Sequence, residues 1–280
     1  MLKEYTPPLV WDEKTQGMNS PTSGCRYDKE LSQGEHPFQL YSLATPNGQK
    51  VTIMFEELLE LGIKDAEYDA FLINIGKGEQ FSSGFVKINP NSKIPALVDR
   101  SNPSEIINIF ESGNILLYLA EKFKKFIPID LAKRTIMMNW LFWLQGSAPY
   151  IGGGFGHFYV YAPQKIEYAI DRFTLETKRQ LDLLDKHLSE NEFIAGDSYT
   201  IADIAIWPWF GNLVLGNIYN AVNFLNTDHY KNLKRWALML QDRPAIKRGT
   251  IVNRLIGNEW EVLPERHSGE DIDTVLLKKP

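Results

Sequence analysis

The feature that most constrains this chain is a change of period at Thr45-Pro46-Asn47-Gly48. Before it, Phe38, Leu40, Tyr41 and Leu43 supply the apolar residues of a buried strand. After it, Val51, Ile53, Met54, Leu58, Leu59 and Leu61 recur at three- and four-residue spacing, which is the pattern of an amphipathic helix, and Gly62 closes it. The turn formers between them imply a tight strand-to-helix connection. The mouth of such a helix exposes unpaired backbone N–H groups and the positive end of a dipole. Thr45 and Asn47 therefore stand beside a natural place for an anion or a thiolate.

Similar patterns recur downstream. Residues 66–74 read as a second strand, and the polar connection from Gly76 to Ser92 has a length that compact domains usually reserve for function. Lys93-Ile94-Pro95-Ala96-Leu97-Val98 predicts a short third strand whose proline sits at an edge or in an unusual turn, with a cis Ile94-Pro95 bond possible. A fourth strand over 106–110 is close enough to form an antiparallel hairpin through Asn102-Pro103. Glu111-Ser112-Gly113 then opens a second helix with apolar positions Ile115, Leu116, Leu119, Ala120 and Phe123. Ser112 can donate to a carboxylate and Glu111 can accept from an ammonium, so the pair suits an amino-acid head group; it equally suits an ordinary helix cap.

These elements predict an α/β domain over 37–125. Residues 126–246 are helical by period, with long helices over 130–145 and 168–188 and a last one over 230–240. Between the first two, the Gly-rich aromatic stretch 149–163 lacks the spacing of a phosphate loop and reads as an interrupted helix whose glycines permit close packing. His157 within it reads as a packed histidine rather than a base. Thr200-Ile201-Ala202-Asp203 is a capping box ahead of a buried helix that Pro208 should kink. Residues 1–36 read as an extended arm that Trp11 could anchor on a neighbouring domain or subunit, and 247–280 as a mixed-charge tail to which no order is assigned.

Composition narrows the function classes. A net charge of −5 argues against nucleic acid as the main partner. No run of apolar residues is long enough to span a bilayer, and the N-terminus has no signal-peptide core, so a soluble cytoplasmic protein is expected, with no membrane partner. Cys25 is the single cysteine and reads as a spectator thiol. An internal disulfide and a Cys-x-x-Cys pair are excluded, no metal site is expected, and any redox sulfur must come from elsewhere.

The blocks Thr45-Pro46-Asn47-Gly48-Gln49-Lys50, Asn89-Pro90-Asn91-Ser92-Lys93-Ile94-Pro95-Ala96-Leu97, Phe110-Glu111-Ser112 and Asn139-Trp140-Leu141-Phe142-Trp143-Leu144-Gln145 resemble the glutathione transferases, specifically the bacterial nu class with disulfide-bond reductase activity. The resemblance runs from Asn19 to about Arg254. It implies a thioredoxin-like domain followed by an all-α bundle, an α+β arrangement, and a homodimer. It implies glutathione as co-substrate, two molecules per site or one oxidised dimer. Thr45 and Asn47 would favour the thiolate, and Ile94 before a cis Pro95 would meet the cysteinyl part. Glu111 and Ser112 would hold the γ-glutamyl end, with Asn19, Pro46, Gln80, Lys93, Gln145 and Arg172 completing the shell. Leu43-Ala44-Thr45 stands where the soluble mammalian enzymes place a catalytic tyrosine, which weakens the expectation of strong conjugation. Two bound thiols would reduce an external disulfide by successive exchange. The alternative is conjugation of electrophiles or reduction of organic hydroperoxides at the same site. A non-enzymatic binding role would predict loss of the site residues.

Overall fold

A computed structural model describes residues 22–280. The chain divides into two compact units: 22–48, 64–112 and 251–280 form the first, and 49–63 with 113–250 the second.

The first unit is built on a four-stranded sheet in the order β2-β1-β3-β4: β1 is Phe38–Ser42, β2 Tyr68–Leu72, β3 Ala96–Asp99 and β4 Ile107–Phe110. β1 is buried along its whole length, as a central strand should be. It pairs parallel with β2 (Ser42 opposite Leu72) and antiparallel with β3 (Tyr41 opposite Ala96). The parallel pairing requires a crossover, which helix α1, Pro46–Glu60, supplies. The β3–β4 hairpin sets Ala96 opposite Phe110. Tyr41, Phe71, Ile73, Phe85, Ala96 and Val98 pack as one apolar cluster, with Leu31, Ile88 and Ile94 at its margin.

The polar connection after β2 is not structureless. Two 3-10 turns, Ile75–Lys77 and Glu79–Phe81, lead into a six-residue helix α2, Ser83–Ile88, whose Phe85 N–H is capped by the Ser82 hydroxyl. The C-terminal tail is ordered as well. Its helix α11, Gly269–Leu276, begins at a Ser268–Asp271 capping box, and a 3-10 turn at Glu259–Glu261 begins at an Asn258–Glu261 box. Ahead of α11, Arg266 exchanges both backbone hydrogen bonds with Ala70 and so covers the outer edge of β2. The Arg266 side chain is fully buried: it lies 3.9 Å over the Tyr68 ring, donates to the Tyr68 carbonyl at 2.6 Å and pairs with Glu67.

Helix α3, Ser112–Phe123, leads into the second unit, which is helical: α4 Leu131–Pro149, α5 Glu167–Glu190, α6 Ile201–Ile206, α7 Asn212–Leu215, α8 Val222–Leu225, α9 Lys231–Gln241 and α10 Pro244–Gly249. The stretch after α4 winds on as a π-helix, Tyr150–Tyr161, where an interruption was expected. Its glycines do permit close packing, because a Cβ on Gly152 would lie 2.6 Å from Trp209 and one on Gly154 2.3 Å from Phe173. Pro208 falls in a second π-helical stretch, Trp207–Gly211, directly after α6. The capping box at α6 is complete. The buried Asp203 carboxylate accepts from Thr200 N–H (3.0 Å), Ile194 N–H (2.9 Å) and Trp236 Nε1 (2.9 Å). Burial pushes its pKa up to about 6 despite these donors. Buried Glu57 of α1 holds Arg243 by two 2.6 Å bonds and accepts from the Tyr199 hydroxyl.

Candidate active site

Strand register brings several of the expected residues to one end of the sheet in the first unit. The C-terminal ends of β1, β2 and β4 and the start of β3 lie side by side, because Ser42 faces Leu72, Tyr41 faces Ala96, and Ala96 faces Phe110. The segments that leave or enter there are Leu43–Thr45, Asn74–Phe81, Ile94–Pro95 and Glu111–Ser112.

Thr45 caps α1. Its hydroxyl accepts from the Gly48 N–H at 3.3 Å, and its own N–H donates to the Leu43 carbonyl at 2.7 Å. Since the hydroxyl oxygen is engaged as an acceptor, its proton remains to be donated outward, at the positive end of a 15-residue helix. Pro46 occupies the first helical position, where its missing N–H costs nothing, and Asn47 follows it. Gly48 is required by close approach: a Cβ there would lie 1.9 Å from the Leu43 carbonyl oxygen and 2.6 Å from Ser42 Oγ. The remaining amide of the turn, Ala44 N–H, donates at 3.0 Å to the carbonyl of Asn253, far along the chain.

Gln80 lies in the 3-10 turn after β2 and is 3% exposed; its Oε1 is buried with no hydrogen-bond partner among the described residues. The arm secures this turn. Arg26 N–H donates to Phe81 O, Ser83 N–H to Tyr27 O and Gly84 N–H to Lys29 O, while the Arg26 guanidinium lies 3.5 Å over the Phe81 ring. Cys25 beside it is exposed. Lys93 has an exposed side chain, its carbonyl accepts from Asn89 Nδ2, and the Ile94-Pro95 bond that follows is cis. Glu111 has a left-handed backbone (φ +67°) and an exposed side chain; Ser112 after it is buried as the first residue of α3. A non-glycine residue in that conformation costs roughly 1–3 kcal/mol, which calls for a compensating role.

Gln145 and Arg172 belong to the second unit. Gln145 is on α4 at the mouth of α3, where a Cβ on Gly113 would lie 2.7 Å from its Nε2. Arg172 is exposed on α5, where its charge joins Arg179 in holding the Glu176 carboxyl low, at about 2, with the Arg179 hydrogen bond the larger cause. Asn19 and Trp11 lie outside the described residues. Among the described residues no group of His, Cys, Asp and Glu could hold a metal ion, and no helix is long and apolar enough to cross a membrane. Tyr41, the tyrosine of β1, gives its hydroxyl to the Ser32 carbonyl, and burial pushes its pKa up to about 12, so it is a packed residue rather than an acid or base. Sequence reasoning missed Asn253. Its signal was the residue type alone: asparagine tolerates the left-handed conformation it adopts, φ +59°.

A strand-turn-helix with a hydroxyl cap, a cis-proline at the adjacent strand and a Glu-Ser pair at the next helix mouth place the chain in a known class. It belongs to the glutathione S-transferase family: that family's N-terminal domain matches residues 37–121 and its C-terminal domain residues 167–237. The chain is 63% identical over 277 residues to the disulfide-bond oxidoreductase YghU of Escherichia coli, covering 96% of each protein. The crystal structure of the glutathione transferase YghU from Streptococcus pneumoniae, complexed with glutathione, is 56% identical; it covers 88% of this chain and 97% of that one, with a TM-score of 0.83. A Burkholderia graminis glutathione transferase, solved with two glutathione molecules bound per subunit, is 37% identical over 77% of this chain and 88% of that one, TM-score 0.71. The fold class is the one the resemblance implied, a thioredoxin-like sheet domain and a helical domain.

Proposed function

We propose that this protein is a glutathione-dependent disulfide reductase that holds two glutathiones, or one glutathione disulfide, at the end of the sheet. The observation that carries the reading is the Thr45 cap, a hydroxyl with a proton to give at the positive end of α1. The name of its Escherichia coli relative and the two glutathiones in the Burkholderia graminis structure support it. Thr45 donates to a glutathione thiolate and holds its pKa below the roughly 8.5 of a free thiol. That thiolate attacks one sulfur of the external disulfide; a mixed disulfide forms and the other half leaves as a thiolate, which takes a proton from water. A second glutathione thiolate attacks the mixed disulfide at the glutathione sulfur, releasing the remaining half and leaving glutathione disulfide. The protein contributes no sulfur: both reacting thiols come from glutathione. Asn47 assists at the helix mouth. Glu111 and Ser112 bind the γ-glutamyl end, and Ile94, Pro46, Lys93, Gln80, Gln145, Arg172 and Asn19 form the remainder of the shell.

The protein works in the cytoplasm as a homodimer. Ile107 and Phe110 on β4, and Ile136 and Phe142 on α4, are apolar side chains left exposed and supply surface for a second copy. The test is steady-state reduction of 2-hydroxyethyl disulfide by glutathione beside conjugation of a chloronitrobenzene. Fast disulfide turnover with feeble conjugation is expected. Thr45→Ala should lower disulfide turnover by roughly ten- to a hundredfold, the worth of one charge-assisted hydrogen bond, with glutathione still bound. Cys25→Ser should leave turnover intact; an inactive Cys25→Ser enzyme would overturn the two-glutathione mechanism.

A further inference from the structure

We propose that Asn253 is a positioning residue for the thiolate site: the C-terminal tail sets the Leu43–Thr45 turn through it. The inference rests on the reading of Thr45 as the thiolate's donor. The bonds that fix that turn include three made by N–H groups, beside the 3.4 Å bond from the Ser42 hydroxyl to the Leu43 carbonyl. Two are internal to it and its helix, Thr45 N–H to Leu43 O and Gly48 N–H to Thr45 Oγ1. The third, Ala44 N–H to the Asn253 carbonyl at 3.0 Å, is made to a residue outside both matched family domains, which end at 121 and 237. The Ala44 N–H and the Leu43 carbonyl belong to one rigid peptide plane, so the bond to Asn253 fixes the carbonyl to which Thr45 N–H is tied and with it the backbone that carries the Thr45 side chain.

Asn253 is itself tightly held. It is fully buried and left-handed, and its Nδ2 donates to the Pro264 carbonyl at 2.7 Å and the Ala70 carbonyl at 3.4 Å. Ala70 in turn is paired with Arg266. Asn253 therefore ties the tail, the edge strand β2 and the turn at one point. Its left-handed conformation favours asparagine or glycine, and its side-chain amide joins the Pro264 carbonyl to that of Ala70, which also accepts from Arg266 N–H.

The experiment compares Asn253→Ala, Asn253→Gly, Thr45→Ala, the double variant Thr45→Ala/Asn253→Ala, and Asp271→Ala. The last removes the acceptor for His267 and Ser268 N–H, and so loosens the tail without touching Asn253. The readouts are kcat and KM for disulfide reduction, the pH profile of kcat/KM, and the ultraviolet absorbance of bound glutathione thiolate. Asn253→Ala keeps the backbone carbonyl but strips the two Nδ2 bonds that place it and strains its left-handed backbone, so the turn should shift, with kcat roughly tenfold lower, the thiol titration moved to higher pH and little change in KM for glutathione. Asn253→Gly, which tolerates the left-handed backbone, should be milder. Asp271→Ala should lose thermal stability with an unshifted profile, and the double variant should be no slower than Thr45→Ala. A wild-type pH profile in Asn253→Ala overturns the inference while leaving the Thr45 reading intact, and an equal shift in Asp271→Ala overturns the assignment to Asn253. Full activity in Thr45→Ala overturns both.

Discussion

Two helical glycines, Gly48 in α1 and Gly146 in α4, should respond in opposite ways to the same change. On helix propensity alone each Gly→Ala substitution should stabilise by about 1 kcal/mol. At Gly146 the added methyl meets nothing within 4 Å, so that gain should appear in full. At Gly48 it meets the Leu43 carbonyl oxygen at 1.9 Å and Ser42 Oγ at 2.6 Å, and the first of these is backbone, which cannot turn aside. Overpacking of this kind costs about 3 kcal/mol. The net is a loss of about 2 kcal/mol once propensity is credited. At about 2 °C per kcal/mol for a chain of this size, Gly146→Ala should melt about 2 °C higher and Gly48→Ala about 4 °C lower. Relief of the clash must also push Leu43 away from α1 and disturb the Thr45 cap, so Gly48→Ala should lose disulfide turnover beyond its loss of stability. Thermal unfolding and the glutathione-dependent disulfide assay, run on both variants, read the two effects separately. A Gly48→Ala protein as stable and as active as the parent would refute the close approach on which this reasoning stands.

Stability should depend on Asp203 in a sense opposite to that of most carboxylates. Its folded pKa, near 6, lies above that of the unfolded chain, so the folded state binds the proton more tightly and stability should grow as pH falls from about 6 to about 4, by about 3 kcal/mol in all. Denaturant titrations of Asp203→Asn should lack that slope. Asp203→Ala strips the acceptor from Ile194 N–H, Thr200 N–H and Trp236 Nε1 and should cost several kcal/mol, on the order of 1–3 for each orphaned donor. Glu57→Gln leaves the partly exposed Arg243 with a neutral partner and should cost about 1–2 kcal/mol in thermal unfolding. Glu111→Gly frees the left-handed backbone and should be neutral to stabilising, by at most about 1 kcal/mol, while calorimetry records weaker glutathione binding.

Much of this architecture was legible because its signals are local. The turn at 45–48, the hairpin over 96–110 and the capping box at Thr200 each combine a period with a punctuation residue, and each formed where it was read. Helix α2 escaped because six residues carry too few turns for a period to register; its one signal was Ser82 as a cap. The π-helix at Tyr150–Tyr161 escaped because glycines two apart among aromatics fit no template, and their meaning lies in the rings they admit, Trp209 and Phe173. The tail's order was written in two capping boxes, Asn258 with Glu261 and Ser268 with Asp271, short enough to be read as scattered charge. At the site, the helix mouths could be read from residue types. The link from Ala44 to Asn253 could not, because no spacing encodes a contact between the first strand's end and the last segment.

That link has a consequence for the order of events during synthesis. At roughly 5–20 residues per second, Asn253 is added roughly ten to forty seconds after Ala44. The sheet can pair and helices α1 and α3 can form in that interval, yet the Ala44 N–H gains its partner only when the tail is made. The turn beside Thr45 is therefore fastened after the elements that it joins. A chain broken off before Asn253 would lack this fastening, with the Ala44 N–H left without that acceptor.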